Sequence, residues 1–269
     1  MNVKGVDVKT AFVLAGGRGE RLKPMTDSTP KPLLDVKGKA ILDYNIGQLK
    51  CCGIERVVLG VGYMAAQIMA YYGRGDALGL DIDYSFEAKP LGTGGALKQA
   101  ARLLDERFLM LNGDNLMDVD YGKMVAAHAA AREYGLTAGE GSDATAALTA
   151  EKGQGAAAGK VRGAAATIAV VEVADATGFG LVELEGDRVT AFTEKPSEPR
   201  AGFINAGAYV LEKSVLDYLP NGFSLIEKTA FPVLAEKGTL YAFRHAGQWF
   251  PTDDLERLET ARKEWVGKA

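Results

Sequence analysis

The stretch that decides the fold is Thr10-Ala11-Phe12-Val13-Leu14-Ala15-Gly16-Gly17-Arg18-Gly19-Glu20-Arg21. Its first six residues are an apolar run that ends in two glycines, as is typical of a buried parallel strand followed by a turn. Further strand patterns at 56–61, 80–86 and 108–111 alternate with helical spacing at 41–49, 64–72, 94–104 and 121–133. This alternation predicts an α/β fold with a parallel sheet and helices on both faces.

The second half of the chain has a different pattern. Strand-like segments at 167–173, 180–184, 188–192 and 203–211 are separated by turns, and helical patterns return at 224–236 and 252–265. They predict a smaller, more antiparallel region. Between the halves, residues 137–166 contain 11 alanines and 6 glycines. A loop of that length is unusual in a compact domain. We expect a surface insertion there, with a lid or an oligomer contact as the alternative.

Composition and charge exclude several classes of protein. The net charge is −4, and no long basic stretch offers a footprint for nucleic acid. No apolar run reaches the roughly 20 residues that cross a bilayer, and residues 1–10 lack the apolar core of a secretory signal. The adjacent Cys51 and Cys52 predict reduced thiols and a cytoplasmic protein. Two histidines argue against a histidine-based zinc site or a Ser-His-Asp triad.

Two strands are followed at once by residues suited to phosphate chemistry. The glycines of 16–19 let backbone N–H groups approach a polyphosphate, and Arg21 and Lys31 add positive charge. The loop is not a Walker A motif, and Leu22 stands where a Rossmann fingerprint has its third glycine. Asn112-Gly113-Asp114-Asn115 follows the fourth strand, where a carboxylate can hold Mg²⁺ against phosphate oxygens. An Asx turn is the alternative interpretation of that segment.

The series 14–26 and 30–34 resembles the signature L-A-G-G-x-G-T-R-L-x-P-x-T followed by P-K-P. That signature belongs to the sugar-1-phosphate nucleotidylyltransferases, or NDP-sugar pyrophosphorylases, which include glucose-1-phosphate thymidylyltransferases. Glu20 departs from the usual threonine. The resemblance runs in order over most of the chain. It implies a three-layer, mostly parallel, Rossmann-like (GT-A-like) sheet with a smaller antiparallel sugar-binding region. It also implies one domain, 1–269, with a nucleotide-binding half (1–136), the insertion (137–166) and a sugar-phosphate-binding half (167–269).

The resemblance implies roles for particular residues. Arg21, Lys31 and Asp114 are the expected catalytic residues. The expected nucleotide-binding residues are Leu14, Gly16, Gly17, Arg18, Gly19, Glu87, Gly92 and Thr93. The expected sugar-phosphate-binding residues are Gly94, Asn115, Gly180, Glu194, Lys195 and Asn205. The glycines of 92–95 are also expected to precede a helix start with free N–H groups.

The second metal ligand is less clearly marked. Many members of the family have the metal-binding aspartate two residues after a tryptophan, where this chain has Pro251. A cytidylyltransferase-like spacing favours Asp253 as the partner of Asp114 on Mg²⁺, and Asp254 stays open. Either aspartate could instead cap the helix that follows.

The implied reaction is NTP + sugar 1-phosphate → NDP-sugar + pyrophosphate, carried out with Mg²⁺ and, by resemblance, in a homo-oligomer. One alternative is a catalytically silent nucleotide-sugar-binding regulatory protein. Another is a glycosyltransferase that uses Asp118-Val119-Asp120 as its metal motif. The base stays open as well: segment 90–96 resembles guanylyl enzymes, the Trp249 to Asp253 spacing leans towards cytidylyl enzymes, and uridylyl and thymidylyl relatives share most of the rest.

Overall fold

The computed structural model describes residues 8–140, 163–194 and 198–267, which hold thirteen strands and six α-helices. The strands are β1 Thr10–Leu14, β2 Asp35–Val36, β3 Lys39–Ala40, β4 Arg56–Val61, β5 Asp81–Phe86, β6 Arg107–Asn112, β7 Asn115–Met117, β8 Ala166–Val173, β9 Gly180–Glu185, β10 Arg188–Glu194, β11 Gly202–Glu212, β12 Leu240–Arg244 and β13 Trp249–Pro251. The helices are α1 Ile41–Cys51, α2 Ala65–Tyr72, α3 Gly92–Ala100, α4 Tyr121–Glu140, α5 Ala230–Glu236 and α6 Leu255–Glu264. Most of the insertion predicted at 137–166 lies outside the described residues.

The first half contains the predicted parallel sheet. Strands β5, β4, β1 and β6 lie side by side in that order and run parallel, with Ala11 of β1 opposite Val57 of β4 and Leu109 of β6. Successive residues of β1 point to opposite faces. Ala11 and Val13 pack in one core with α1, α2 and α4, and Phe12 packs in the other with α3 and α5. The prediction of a parallel sheet with helices on both faces is therefore confirmed.

The prediction of a mostly parallel sheet was wrong, whereas the antiparallel pairing predicted for the second half is present. A single nine-stranded mixed sheet has the order β5-β4-β1-β6-β11-β8-β12-β10-β9. The reason is the length of β11, which pairs antiparallel with β8 through both halves, with β9 through its first half and with β6 through its second. Strand β12, which the sequence pattern did not indicate, lies parallel to β8. The antiparallel strands therefore extend the first sheet rather than forming a second one.

A third apolar cluster fixes the end of the described chain against the loop after β1. Trp265, which is 1% exposed, packs with Leu22, Ile41 and Leu258, and its ring meets that of Tyr44 edge-on at 5.7 Å. This cluster packs α6 against the loop after β1, and Asp253, just before α6, contacts Arg21 in that loop.

Two further expectations concern the state of the cysteines and membrane-spanning segments. Cys51 and Cys52 are exposed free thiols. Over the part of the chain that the structure describes, no helix has both the length and the apolar character needed to cross a membrane.

Candidate active site at the strand ends

The candidate site lies where β1 and β6 end at the same edge of the sheet. The N–H of Gly113 donates to the carbonyl of Leu14 over 2.9 Å and joins the two strand ends. Beyond β1 the chain folds into short 3₁₀ turns at Glu20–Leu22, Met25–Asp27 and Lys31–Leu33. Ligands of open α/β sheets bind at this edge because the turns there carry free polar groups.

The short pair β7 and β13 brings the end of the chain to the same place. Pro251 lies opposite Asn115, and the buried Thr252 donates from Oγ1 to the carbonyl of Asp114 over 2.6 Å. Asp253 follows directly. The sequence had no signal for β13, since a three-residue strand that ends in proline is too short to show a period.

Lys31 and Asp114 form the first of two ion pairs at this edge. Lys31 Nζ lies 2.7 Å from Asp114 Oδ2. The lysine side chain is only 7% exposed, whereas the aspartate side chain is 41% exposed. The buried cation thus reaches an oxygen that is open to solvent and to a ligand.

Arg21 and Asp253 form the second pair, with Arg21 Nη2 2.6 Å from Asp253 Oδ2. Here the exposure is reversed: Arg21 is 67% exposed and Asp253 is 25% exposed. Burial disfavours the charged form of Asp253, but the hydrogen bond and charge of Arg257, with the charges of Arg21 and Lys31, outweigh it and lower the pKa of Asp253. We call Arg21, Lys31, Asp114 and Asp253 the strand-end cluster.

The two adjacent aspartates have different roles in the structure. Asp254 is the N-cap of α6, because its Oδ1 accepts the N–H of Arg257 over 2.9 Å. Asp253 instead contacts Arg21 and, through Oδ1, the Nη1 of Arg257 at 2.7 Å. The alternative that one of the two caps the helix therefore applies to Asp254. Metal binding by Asp114 and Asp253 stays a prediction.

The donor set of the strand-end cluster suits Mg²⁺. Mg²⁺ in phosphate-handling sites is held by one or two carboxylates together with phosphate oxygens and water. Asp114 and Asp253 would supply two hard oxygen ligands, and Arg21 and Lys31 balance their charge. Within 8–140, 163–194 and 198–267 no three His, Cys, Asp or Glu side chains gather into a complete metal cage. The two carboxylates that are present fit a metal whose other ligands are phosphate oxygens and water.

The predicted nucleotide-binding loop lies beside Glu87. A Cβ added at Gly16 would come within 2.8 Å of Glu87 Oε1, whereas one at Gly17 would meet nothing within 4 Å. Glu87 Oε2 accepts the N–H of Leu91 over 3.0 Å, and burial raises the pKa of the Glu87 carboxyl. The exposed Arg18 guanidinium lies over the Tyr63 ring at 5.6 Å. A side chain at Gly17 would therefore face open space.

The expectation of free N–H groups at the helix start after the second glycine motif was wrong for Gly94 and Gly95. Residues 92–95 form the first turn of α3, and the N–H groups of Gly94 and Gly95 donate to the carbonyl of Ser224 over 2.9 and 3.2 Å. A Cβ at Gly94 would lie 2.7 Å from Ser224 Oγ. Thr93 Oγ1 likewise donates to Glu227 Oε2 over 2.6 Å. The glycines admit the loop at 222–226, part of which the sequence pattern had assigned to a helix at 224–236, whereas α5 begins only at Ala230. Ligand binding by Gly92, Thr93 and Gly94 stays a prediction.

The predicted sugar side is built around a bulge in β11. The register against β8 shifts between Asn205 and Tyr209, and Gly207 has φ of 87°, which favours glycine. Asn205 holds this bulge, since its Oδ1 accepts the N–H of Gly207 over 3.0 Å. Asn115 Nδ2 donates to the carbonyl of Ala206 over 3.2 Å. The bulge therefore joins Asn115, beside Asp114, to Asn205.

Two other predicted sugar-side residues are only partly placed. Gly180 lies at the start of β9, opposite Glu194 at the end of β10. The side chain of Glu194 and the whole of Lys195 lie outside the described residues, so their roles stay predictions.

The glycosyltransferase alternative depends on Asp118 and Asp120, whose carboxylates both have partners within the protein. Asp118 Oδ1 lies 3.2 Å from His245 Nε2, and the two side chains are 12% and 6% exposed. Asp120 Oδ1 accepts the N–H of Lys123 over 3.0 Å at the start of α4. Both carboxylates thus have structural contacts, and their use as a metal motif stays a prediction.

Sequence comparison places these features in a family context. The family described as "Nucleotidyl transferase" matches residues 10–147 and 151–264. A mannose-1-phosphate guanylyltransferase of Mycobacterium tuberculosis is 35% identical over 244 residues, covering 89% of this chain and 59% of the relative. A mannose-1-phosphate guanyltransferase beta-B of Xenopus laevis is 34% identical over 245 residues, with the same coverage. The chain thus spans less than two thirds of the length of these relatives.

Solved structures agree with the fold. HddC from Yersinia pseudotuberculosis has a TM-score of 0.72 and 25% identity, covering 96% of this chain and 99% of that one, and it has also been solved in complex with GMP-PN. A putative glucose-1-phosphate thymidylyltransferase from Bacillus anthracis has a TM-score of 0.78, with coverage of 96% and 97%. At 22% identity it supports the fold alone. The family resemblance drawn from the motifs is confirmed.

Proposed function

This chain belongs to the nucleotidyl transferase family, and we propose that it transfers a nucleotidyl group from an NTP to a sugar 1-phosphate with Mg²⁺. The products are an NDP-sugar and pyrophosphate. The observation that carries the proposal is the strand-end cluster, in which two cations and two carboxylates meet where β1 and β6 end.

The reaction needs charge control more than acid–base chemistry. A sugar 1-phosphate is already an anionic nucleophile at pH 7, so no general base is required. One of its oxygens attacks the α-phosphorus, the α–β bridging bond breaks, and pyrophosphate leaves with that electron pair. Two like unit charges 4 Å apart repel by about 4 kcal/mol at an effective dielectric constant of 20. Catalysis then consists of positioning the substrates and offsetting this repulsion.

The residues of the strand-end cluster divide that work. The exposed Arg21 is assigned to the leaving pyrophosphate and the buried Lys31 to the NTP phosphates. When the substrate binds, each cation would therefore leave its aspartate and pair with a phosphate. Mg²⁺, when held by Asp114 and Asp253, supplies further positive charge against phosphate oxygens. By resemblance, Lys195 is assigned to the sugar phosphate. We also keep the division into a nucleotide-binding half, 1–136, and a sugar-phosphate-binding half, 167–269, as part of the proposal.

For the base we propose guanine, and for the sugar, mannose. The relatives from M. tuberculosis and X. laevis carry the name mannose-1-phosphate guanylyltransferase or guanyltransferase. Glu87 supports guanine on chemical grounds, because carboxylate oxygens accept hydrogen bonds and guanine presents two adjacent donors, N1–H and the 2-amino group. Uracil and thymine present one such donor, and adenine presents an acceptor at N1.

The test is pyrophosphate release measured with five NTPs against mannose, glucose and heptose 1-phosphates. The proposal predicts release that requires both substrates and Mg²⁺, with GTP and mannose 1-phosphate giving the highest kcat/KM. Turnover with a different pair would show that the proposed substrates are wrong and that the proposed reaction is right. Binding of GDP-mannose with no pyrophosphate release for any pair would favour the alternative of a regulatory binding protein over an enzyme.

A further inference from the structure

Arg257, in the first turn of α6, contacts the strand-end cluster although no sequence motif singles it out. Its Nη1 donates to Asp253 Oδ1 over 2.7 Å, and its Nε lies 3.5 Å from Asp254 Oδ2. Its Cζ lies 4.7 Å from the centre of the Phe179 ring. The guanidinium is therefore held at its edge by carboxylates and on its face by an aromatic ring, at 35% exposure.

The aromatic contact ties Arg257 to the predicted sugar side. Phe179, which precedes Gly180, meets the ring of Trp249 edge-on at 5.4 Å. Trp249 Nε1 in turn donates to the carbonyl of Ala206 over 3.0 Å, in the bulge of β11. Arg257 thus packs on an aromatic pair, Phe179 and Trp249, that is hydrogen-bonded to β11 of the sheet.

The two oxygens of Asp253 have unlike partners. Oδ1 is bound by Arg257, which is packed on Phe179, and Oδ2 is bound by Arg21, which is 67% exposed. The exposed arginine is the partner that can leave when phosphate arrives. The packed arginine would stay and keep the carboxylate in place.

We propose that Arg257 is a positioning residue for Asp253. It fixes Oδ1, so that Oδ2 is presented to the metal once Arg21 has moved to the substrate phosphates. This inference rests on the proposed function. Partners that orient a metal ligand from outside typically contribute 10–100-fold to metal affinity. A planar, stacked guanidinium suits this role better than an ammonium group, because its donors have a fixed geometry.

The test is Mn²⁺ binding, followed by electron paramagnetic resonance, to the protein saturated with an α,β-methylene GTP analogue. Arg257→Lys keeps the positive charge but removes the planar guanidinium, with its fixed donor geometry and its stacking on Phe179. We therefore expect about tenfold weaker Mn²⁺ binding. Two variants control for charge and for the helix cap. Lys263→Gln removes an exposed positive charge from the same helix, and Asp254→Asn keeps a capping side chain but removes the second contact of Arg257. Both should bind Mn²⁺ as the wild type does.

A double-mutant cycle separates positioning from a general effect. In an Asp253→Asn background, Arg257→Lys should weaken Mn²⁺ binding no further, because its effect passes through that carboxylate. Wild-type Mn²⁺ affinity in Arg257→Lys, or equal weakening in Asp254→Asn, would overturn the inference and leave Arg257 as a helix clamp. If Arg257→Lys has wild-type turnover and unchanged Mn²⁺ affinity, the positioning role of Arg257 is rejected and the proposed function is unaffected. Absence of pyrophosphate release in the wild type would remove the proposed function.

Discussion

The two ends of β6 carry two charge clusters of similar composition and different design. At its start, Glu212 of β11 lies opposite Arg107 and accepts a hydrogen bond from its Nε. His128 Nε2 and Arg132 Nε approach the same carboxylate at 3.1 and 3.8 Å. We call Arg107, His128, Arg132 and Glu212 the Glu212 cluster. At the other end of β6 lies the strand-end cluster.

The difference lies in exposure and in how fully each carboxylate is engaged. In the Glu212 cluster three side chains converge on one oxygen, Glu212 is 14% exposed and the His128 side chain is fully buried. Removing one member there leaves a buried charge without its partner, which is costly. In the strand-end cluster Arg21 and Asp114 are open to solvent. The first arrangement suits a structural role, and the second suits the exchange of partners that the proposed function requires.

Removing the exposed cation of the strand-end cluster should have the largest effect. Arg21→Ala should lower kcat by roughly 10²–10³, the scale for losing one transition-state donor. Its thermal midpoint should stay near the wild-type value, because the side chain is mostly exposed. Lys23→Ala is the matched control, since it removes a charge from the same loop that pairs with Glu20. Near-wild-type turnover in folded Arg21→Ala protein would contradict the catalytic role that distinguishes the strand-end cluster from the Glu212 cluster.

The second effect separates the two neighbouring aspartates. Asp253→Asn should raise the Mg²⁺ concentration needed for half-maximal rate by at least about tenfold, because outer partners of a metal alone contribute that much. Asp254→Asn should leave the Mg²⁺ titration unchanged, because asparagine caps a helix as well as aspartate does. Equal titrations for the two variants would remove Asp253 from the metal site.

A smaller effect is expected at the base. Glu87→Gln places an amide donor opposite guanine donors, so the preference for GTP over ATP should fall by about tenfold, within the 1–3 kcal/mol range of a two-point base contact. The ratio of the two kcat/KM values measures it. An unchanged ratio would place base selection elsewhere and leave the strand-end cluster untouched.

The smallest effect concerns stability alone and comes from the Glu212 cluster. Burial lowers the pKa of His128 below its ordinary value of 6.5. The unfolded chain therefore binds a proton that the folded chain does not. The contribution of His128 is complete above about pH 6.5 and is lost as the pH falls, by at most about 1.4 kcal/mol per pH unit.

Urea unfolding at several pH values measures that slope. His128→Gln should flatten it between pH 6.5 and 5.5 while kcat at pH 7.5 stays unchanged. A large loss of kcat in this variant would show that the cluster at the start of β6 is not purely structural.

The sequence could predict the parts that depend on local pattern. The apolar run before Gly16 predicted β1. Strand ends in a parallel sheet share an edge, so the amino-acid sequence alone was enough to place Arg21, Lys31 and Asp114 together. The mixed sheet could not be predicted, because the pairing of β11 with β6 joins residues about 100 positions apart.

The missed parts of the site depend on contacts between distant segments. The loop around Ser224 reaches Gly94 only through the fold, and nothing in its composition marks it as a partner of α3. Arg257 resembles any other charge on an amphipathic helix until Asp253 and Phe179 lie beside it. The glycines of 92–95 were recognised as unusual, but their close neighbour in the structure is protein backbone.

The most direct test of the account is the stoichiometry of one reaction followed by ³¹P NMR. Wild-type protein with Mg²⁺, GTP and mannose 1-phosphate should form nucleotide-sugar and pyrophosphate in equal amounts, with no pyrophosphate when the sugar phosphate is left out. Arg21→Ala should form the same products far more slowly. GTP hydrolysis to GDP and phosphate, or pyrophosphate release without a sugar 1-phosphate, would contradict nucleotidyl transfer at the strand-end cluster.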